Sequence, residues 1–141
     1  MKTLSNPVID PYFDTDRCVD RLYKDWVSHN GLIIAFDFDN TIYDYYGNGY
    51  AYDKVIKLLK DCKEHGCTLI LFTCCDESKY DHMIQYCRSV GIEPDLVNDN
   101  PEYIPFCGRK CYYNIMLDDR CGLQQAYEIL LKTYGRVVEN T

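Results

Sequence analysis

The chain has 141 residues, 47% hydrophobic and 26% charged, and a formal net charge of −7. That length suits one domain with one core, and the balance is that of an ordinary globular protein. No apolar run approaches the roughly 18 residues needed to span a bilayer. The negative charge argues against a nucleic-acid backbone as partner, because neutralising phosphates takes clustered Lys and Arg. A small anionic substrate stays open, since one bound cation and a few local donors can reverse the field inside a pocket.

The segment Met1 to Pro7 lacks the apolar core of a signal peptide. A soluble, cytoplasmic protein with no membrane partner is therefore expected. The nine cysteines are an odd number without an export signal, which points to free thiols rather than a disulfide framework. Cys62 and Cys87 fall on predicted core faces, where a thiol acts as a small hydrophobe. Cys107 and Cys111, with Cys121 further on, approach zinc-ligand spacing, but no second CxxC or His pair completes the set.

Residues 1–14 read as irregular, with Pro7 and Pro11. Thr15 or Asp16 is placed to cap a helix reaching about Ser28, with Cys18, Leu22 and Trp26 on one face. Leu32 to Phe36 reads as a strand buried on both faces. A Tyr- and Gly-rich loop follows from Thr41 to Tyr52, and then a helix from Asp53 that stops at Gly66. Thr68 to Thr73 is a second buried strand, and Ser78 opens a helix closed by Gly91. Leu96-Val97 is a short extended piece, and 98–110 is a loop. Tyr113 to Leu117 is another strand. The last helix is expected over Leu123 to Tyr134, with Leu123, Tyr127, Leu130 and Leu131 inward, Gly135 ending it and Val137-Val138 as a last short strand. Strands alternating with helices predict right-handed βαβ units and a parallel sheet, hence an α/β fold.

In such a sheet, ligands bind outside the carboxyl ends of the strands. The first apolar run is followed by Asp37-Phe38-Asp39-Asn40-Thr41, the second ends at Thr73, and the third runs into Asp118-Asp119. The four aspartates therefore collect at one sheet edge. Carboxylates packed together repel, so a cation must offset them or some must protonate. A hard divalent cation such as Mg²⁺ takes oxygen ligands and also suits a phosphate-holding site. Caps and turns explain a single aspartate well. They explain poorly two at i and i+2 after one strand and an adjacent pair after another.

These residues resemble the signatures of the haloacid dehalogenase-like phosphohydrolases. Asp37-Phe38-Asp39-Asn40-Thr41 is similar to the first (DxDxT), Thr73 to the second, Lys110 to the third, and Asp118-Asp119 to the fourth. The resemblance covers about residues 31 to 138, so 1–30 is set apart as an N-terminal extension with one helix and 31–141 as the catalytic domain. It implies a Rossmann-like three-layer α/β/α fold around a central parallel sheet. It also implies roles. Asp37 attacks phosphorus and forms an aspartyl-phosphate. Asp39 protonates the leaving group and then activates water, while its backbone carbonyl binds Mg²⁺. Thr73 hydrogen-bonds a phosphoryl oxygen, and Lys110 neutralises charge on the nucleophile and the phosphoryl group. Asp119 completes the Mg²⁺ site, and Asp118 supports it directly or through water. Arg109 and Lys79 are rivals to Lys110, whose position shortly before the fourth-motif strand matches the family.

Larger members of that family insert a cap domain after the first motif or between the second and third. Neither gap here is long enough, so no cap is expected and the site should be comparatively open. Substrate choice then falls to loops. Tyr43, Tyr45, Tyr46, Tyr50 and Tyr52 crowd the loop after Asp37. Their faces can stack on a nucleobase or other flat group, or pack the loop against the body. His29, His65 and His82 are expected on helix surfaces. The implied activity is a Mg²⁺-dependent phosphomonoesterase acting on a small phosphorylated metabolite, with a nucleotide as one candidate. A phosphatase acting on a phosphoprotein or a nucleic-acid end, and a non-catalytic binding protein that keeps the fold, are the alternatives.

Overall fold

The computed structural model describes residues 11–141. The expected irregularity of the first ten residues lies outside the described residues. Four helices, α1 (Thr15–His29), α2 (Asp53–Glu64), α3 (Tyr80–Ser89) and α4 (Leu123–Glu139), and four strands, β1 (Ile33–Phe36), β2 (Thr68–Leu71), β3 (Leu96–Val97) and β4 (Ile115–Leu117), alternate except between β3 and β4, which no helix separates. The strands form one parallel sheet in the order β3-β2-β1-β4. This is the α/β, Rossmann-like arrangement expected, with a layer on each face of the central sheet and no cap domain among the described residues. No helix among them is long and apolar enough to cross a membrane.

Side-chain alternation along the strands divides the core in two. Ile34, Phe36, Leu69, Leu71 and Leu117 face one way and meet Leu22 and Trp26 of α1, Leu58 and Leu59 of α2, Met83 and Cys87 of α3, and Leu130 of α4. Ile33, Ala35 and Ile70 face the other way. There they pack with Leu96, Met116, and with Ile104 and Tyr113 from the irregular segment between β3 and β4. That segment forms the second outer layer, and its path bears directly on Lys110.

Helix α1 starts where expected, but its cap is one residue earlier. Asp14 accepts a hydrogen bond from Arg17 N–H at 3.2 Å, the usual work of an N-cap aspartate. Trp26 is buried and tilts 6.5 Å from Tyr134 of α4. The helix thus shares the main core with the rest of the chain rather than standing apart. At its end Asn30 is left-handed, and Gly31 follows at φ 143°. A Cβ on Gly31 would lie 2.2 Å from the carbonyl oxygen of Gly66, so the turns that start β1 and β2 touch there through backbone alone.

Helix α4 departs from expectation. It runs through Gly135 to Glu139, and Val137-Val138 is helical rather than a strand. Leu130, Thr133 and Val137 are buried, so the apolar stripe continues at helical spacing past the glycine. Burial of that stripe outweighs the roughly 1 kcal/mol by which glycine disfavours a helix. The same stripe turns Leu131 outward, leaving it 43% exposed.

Candidate active site at the strand ends

Strand register explains the placement of the acidic residues. Phe36 stands opposite both Leu71 and Leu117, so the next residues, Asp37, Phe72 and Asp118, leave the sheet at one level. The Asp37 N–H donates to the Leu117 carbonyl at 2.9 Å, and the Phe72 N–H donates to the Phe36 carbonyl at 2.9 Å. Beyond this edge a cleft of about 450 Å³ is lined by Asp37, Asp39, Asn40, Tyr45, Tyr46, Phe72, Thr73, Cys74, Asp118, Asp119 and Arg120.

The structure brings Asp37, Asp118 and Asp119 close together. One carboxylate oxygen from each lies within 4.8 Å of the others. The Asp39 side chain stands outside this trio but in the same cleft. Burial and the neighbouring charge of Asp118 push the Asp37 carboxyl from 3.8 up to about 7, with a hydrogen bond to Asp119 adding to the rise. Burial, and then the charge of Asp119, also raise the Asp39 carboxyl from its ordinary value. Such repulsion is what a divalent cation relieves, and an all-oxygen donor set suits a hard ion.

Thr41 ties the two acidic turns together. It is fully buried. Its hydroxyl donates to Asp37 Oδ2 at 3.3 Å and accepts from the Asp119 N–H at 3.1 Å. The turn before it is tight: the Phe38 carbonyl accepts from the N–H groups of Thr41, Ile42 and Tyr43, and Asn40 is left-handed at φ 58°.

Thr73 is held by Asn98, a residue that no sequence motif singles out. Asn98 Oδ1 accepts from the Thr73 N–H at 2.8 Å, and its Nδ2 donates to the Thr73 carbonyl at 2.7 Å. The Thr73 hydroxyl oxygen accepts from the Cys75 N–H at 3.1 Å, which leaves its own hydrogen available to the cleft. The left-handed φ of 51° at Asn98, just after β3, is one that asparagine tolerates better than most residues.

Lys110 is not brought to the cleft. It lies on the irregular segment that covers the opposite sheet face, exposed, with Nζ 5.9 Å from the centre of the Tyr113 ring. Arg120 lines the cleft instead. Its position beside the Asp118-Asp119 pair was the sequence signal that could have found it.

The tyrosines of the 43–52 loop divide. Tyr43 turns inward, stacked on Phe38 at 5.1 Å and edge-on to Tyr86 at 4.9 Å. Tyr45 and Tyr46 turn outward at the cleft, 58% and 68% exposed, as an edge-to-face pair 5.0 Å apart. Their loop is self-braced: the Asp44 carboxylate accepts from the Asn48 and Gly49 N–H groups, and Asn40 Oδ1 accepts from the Tyr45 N–H. The three histidines are exposed, as expected. Among the described residues the aspartate trio is the one group of metal-ligating side chains within reach of each other, so Cys107, Cys111 and Cys121 form no such cluster.

No protein-family model matches the chain, and no curated protein matches it. Among solved structures it is similar to one described as a conserved protein from Bacteroides thetaiotaomicron, with 28% identity and a TM-score of 0.59. The match covers 73% of this chain and 92% of that one.

Proposed function

We propose that the chain is a Mg²⁺-dependent phosphomonoesterase of the haloacid dehalogenase-like kind. The observation that carries this reading is the convergence of Asp37, Asp118 and Asp119 within 4.8 Å at the ends of adjacent parallel strands, with Asp39 and Thr73 in the same cleft. Asp37, Asp118 and Asp119 would hold the ion, which supplies charge neutralisation for the phosphoryl oxygens and the nucleophile.

In this mechanism a carboxylate oxygen of Asp37 attacks phosphorus. The new Asp37 O–P bond forms as the ester O–P bond breaks. Asp39 gives its proton to the departing oxygen, so the leaving group departs as a neutral alcohol. The raised proton affinity of Asp39 favours the protonated form this requires. Asp39 then takes a proton from water, whose oxygen attacks the aspartyl-phosphate and releases phosphate and the Asp37 carboxylate. Thr73 Oγ1, which accepts from the Cys75 N–H, would donate its own hydrogen to a phosphoryl oxygen.

The outward rings of Tyr45 and Tyr46 favour a small substrate with a flat group near its phosphate, a nucleotide among them. The test is hydrolysis of a generic aryl phosphate and a panel of small monoesters, with and without Mg²⁺. Wild type should turn over only with the ion, and Asp37→Asn should be inert. A wild type inactive across the panel would sink the reading. Equal rates on nucleotides and sugar phosphates would remove the substrate preference alone.

A further inference from the structure

We infer that Arg120, rather than Lys110, is the cation that receives the phosphate group in this cleft. The inference rests on the phosphomonoesterase reading for its ligand but not for its test. Arg120 is the only Lys, Arg or His among the described residues lining the cleft. It lines the cleft from the turn after β4, whereas Thr73 and Cys74 line it from the segment after β2 and Asp37 from the end of β1, the strand between.

Its placement is built. The Asp118 carboxylate accepts from the Arg120 N–H at 2.8 Å, and the Asp118 carbonyl accepts from the Cys121 N–H at 3.0 Å. The turn that presents a carboxylate to the metal position therefore also fixes the backbone of Arg120. Its guanidinium is uncommitted. Among the described residues, ion pairs engage Arg21, Lys57, Lys63, Arg88 and Arg136, and none engages Arg120 despite four nearby carboxylates.

Charge gives that freedom a use. A divalent ion offsets two of the four carboxylates, and a phosphate monoester arrives with further negative charge. Arg120 is the remaining positive group in the cleft. A guanidinium also presents parallel N–H donors that match two phosphate oxygens, which an ammonium cannot. Lys110, set over the Tyr113 ring, contributes no donor here.

The experiment measures binding of inorganic phosphate by calorimetry at saturating Mg²⁺. It compares wild type, Arg120→Gln, Arg120→Lys and Lys110→Gln, with melting temperatures as a check on folding. Arg120 is exposed and its side chain holds nothing together, so its variants should melt like wild type. Arg120→Gln should weaken phosphate binding about tenfold or more, the scale of one lost charge-assisted contact. Arg120→Lys should recover part of it, and Lys110→Gln should bind as wild type. Arg120→Gln binding as wild type would overturn the inference, and so would loss of binding in Lys110→Gln. Hydrolysis is scored separately. A wild type that binds phosphate through Arg120 but hydrolyses nothing would refute the enzyme reading and leave this one standing. A wild type that does not bind phosphate would refute both.

Discussion

Replacing Asp37 by asparagine should stabilise the protein when divalent ions are removed. In the folded chain the Asp37 carboxyl titrates near 7, against 3.8 ordinarily, because it is half-buried beside Asp118 and Asp119. Between these values the folded state keeps a proton that the unfolded state has lost, so stability falls as pH rises through the window. Below 3.8 the penalty is absent, and above about 7 it is complete. In a dry site a difference of this size would correspond to about 4 kcal/mol. Asp37 is only half-buried, and solvent screening reduces that to about 2 kcal/mol. For a chain of this length, 2 kcal/mol corresponds to a rise of about 8 °C in melting temperature. The assay is thermal unfolding in chelator, followed by circular dichroism from pH 5 to pH 8. Wild type should trail Asp37→Asn by most at pH 8 and by less at pH 5. Added Mg²⁺ should stabilise wild type by mass action and close or reverse the gap. An Asp37→Asn protein no more stable than wild type at pH 8, or a gap independent of pH, would refute the account of a strained acidic cluster.

Two further substitutions probe the frame around the site. Gly135 sits inside α4 with open space where a Cβ would go, so Gly135→Ala should stabilise by about 0.5–1 kcal/mol in denaturant unfolding. Thr41→Val should cost about 0.5–1.5 kcal/mol, because it removes the hydroxyl that donates to Asp37 Oδ2 and accepts from the Asp119 N–H; it should also weaken Mg²⁺ binding in calorimetry, whereas Thr41→Ser should restore most of both.

The central strands could be read from sequence because they are buried on both faces, which leaves unbroken apolar runs such as Ile33 to Phe36. The aspartates were legible for a related reason. A carboxylate immediately after such a run can only emerge at the sheet's edge, and a parallel sheet sends all those edges one way. What could not be read depended on partners distant in the chain. Gly135 resembles a helix stop until the packing of Val137 is known. Asn98 looks like any loop asparagine, and its role emerges only when β3 lies beside β2 and its amide meets Thr73. Lys110 and Arg120 illustrate the same limit. Both lie close in sequence to the acidic pair, but one belongs to the segment that crosses the far sheet face and the other to the turn that Asp118 closes.

The cleft is costly to the fold, and its supports show where the cost is met. Gathering four carboxylates at one edge works against stability, as the raised proton affinity of Asp37 reflects. Two buried or half-buried polar bridges oppose it: Thr41 between the turns after β1 and β4, and Asn98 between the ends of β2 and β3. Each joins strand ends that are neighbours in the sheet order, so the reacting groups are tied to the most rigid part of the molecule. Tyr45 and Tyr46 are held differently, by a turn whose bonds to Asp44 and Asn40 are local to the loop. The groups that would do the chemistry and the rings that would choose the substrate thus have separate supports, and changing the loop need not disturb the aspartates beneath it.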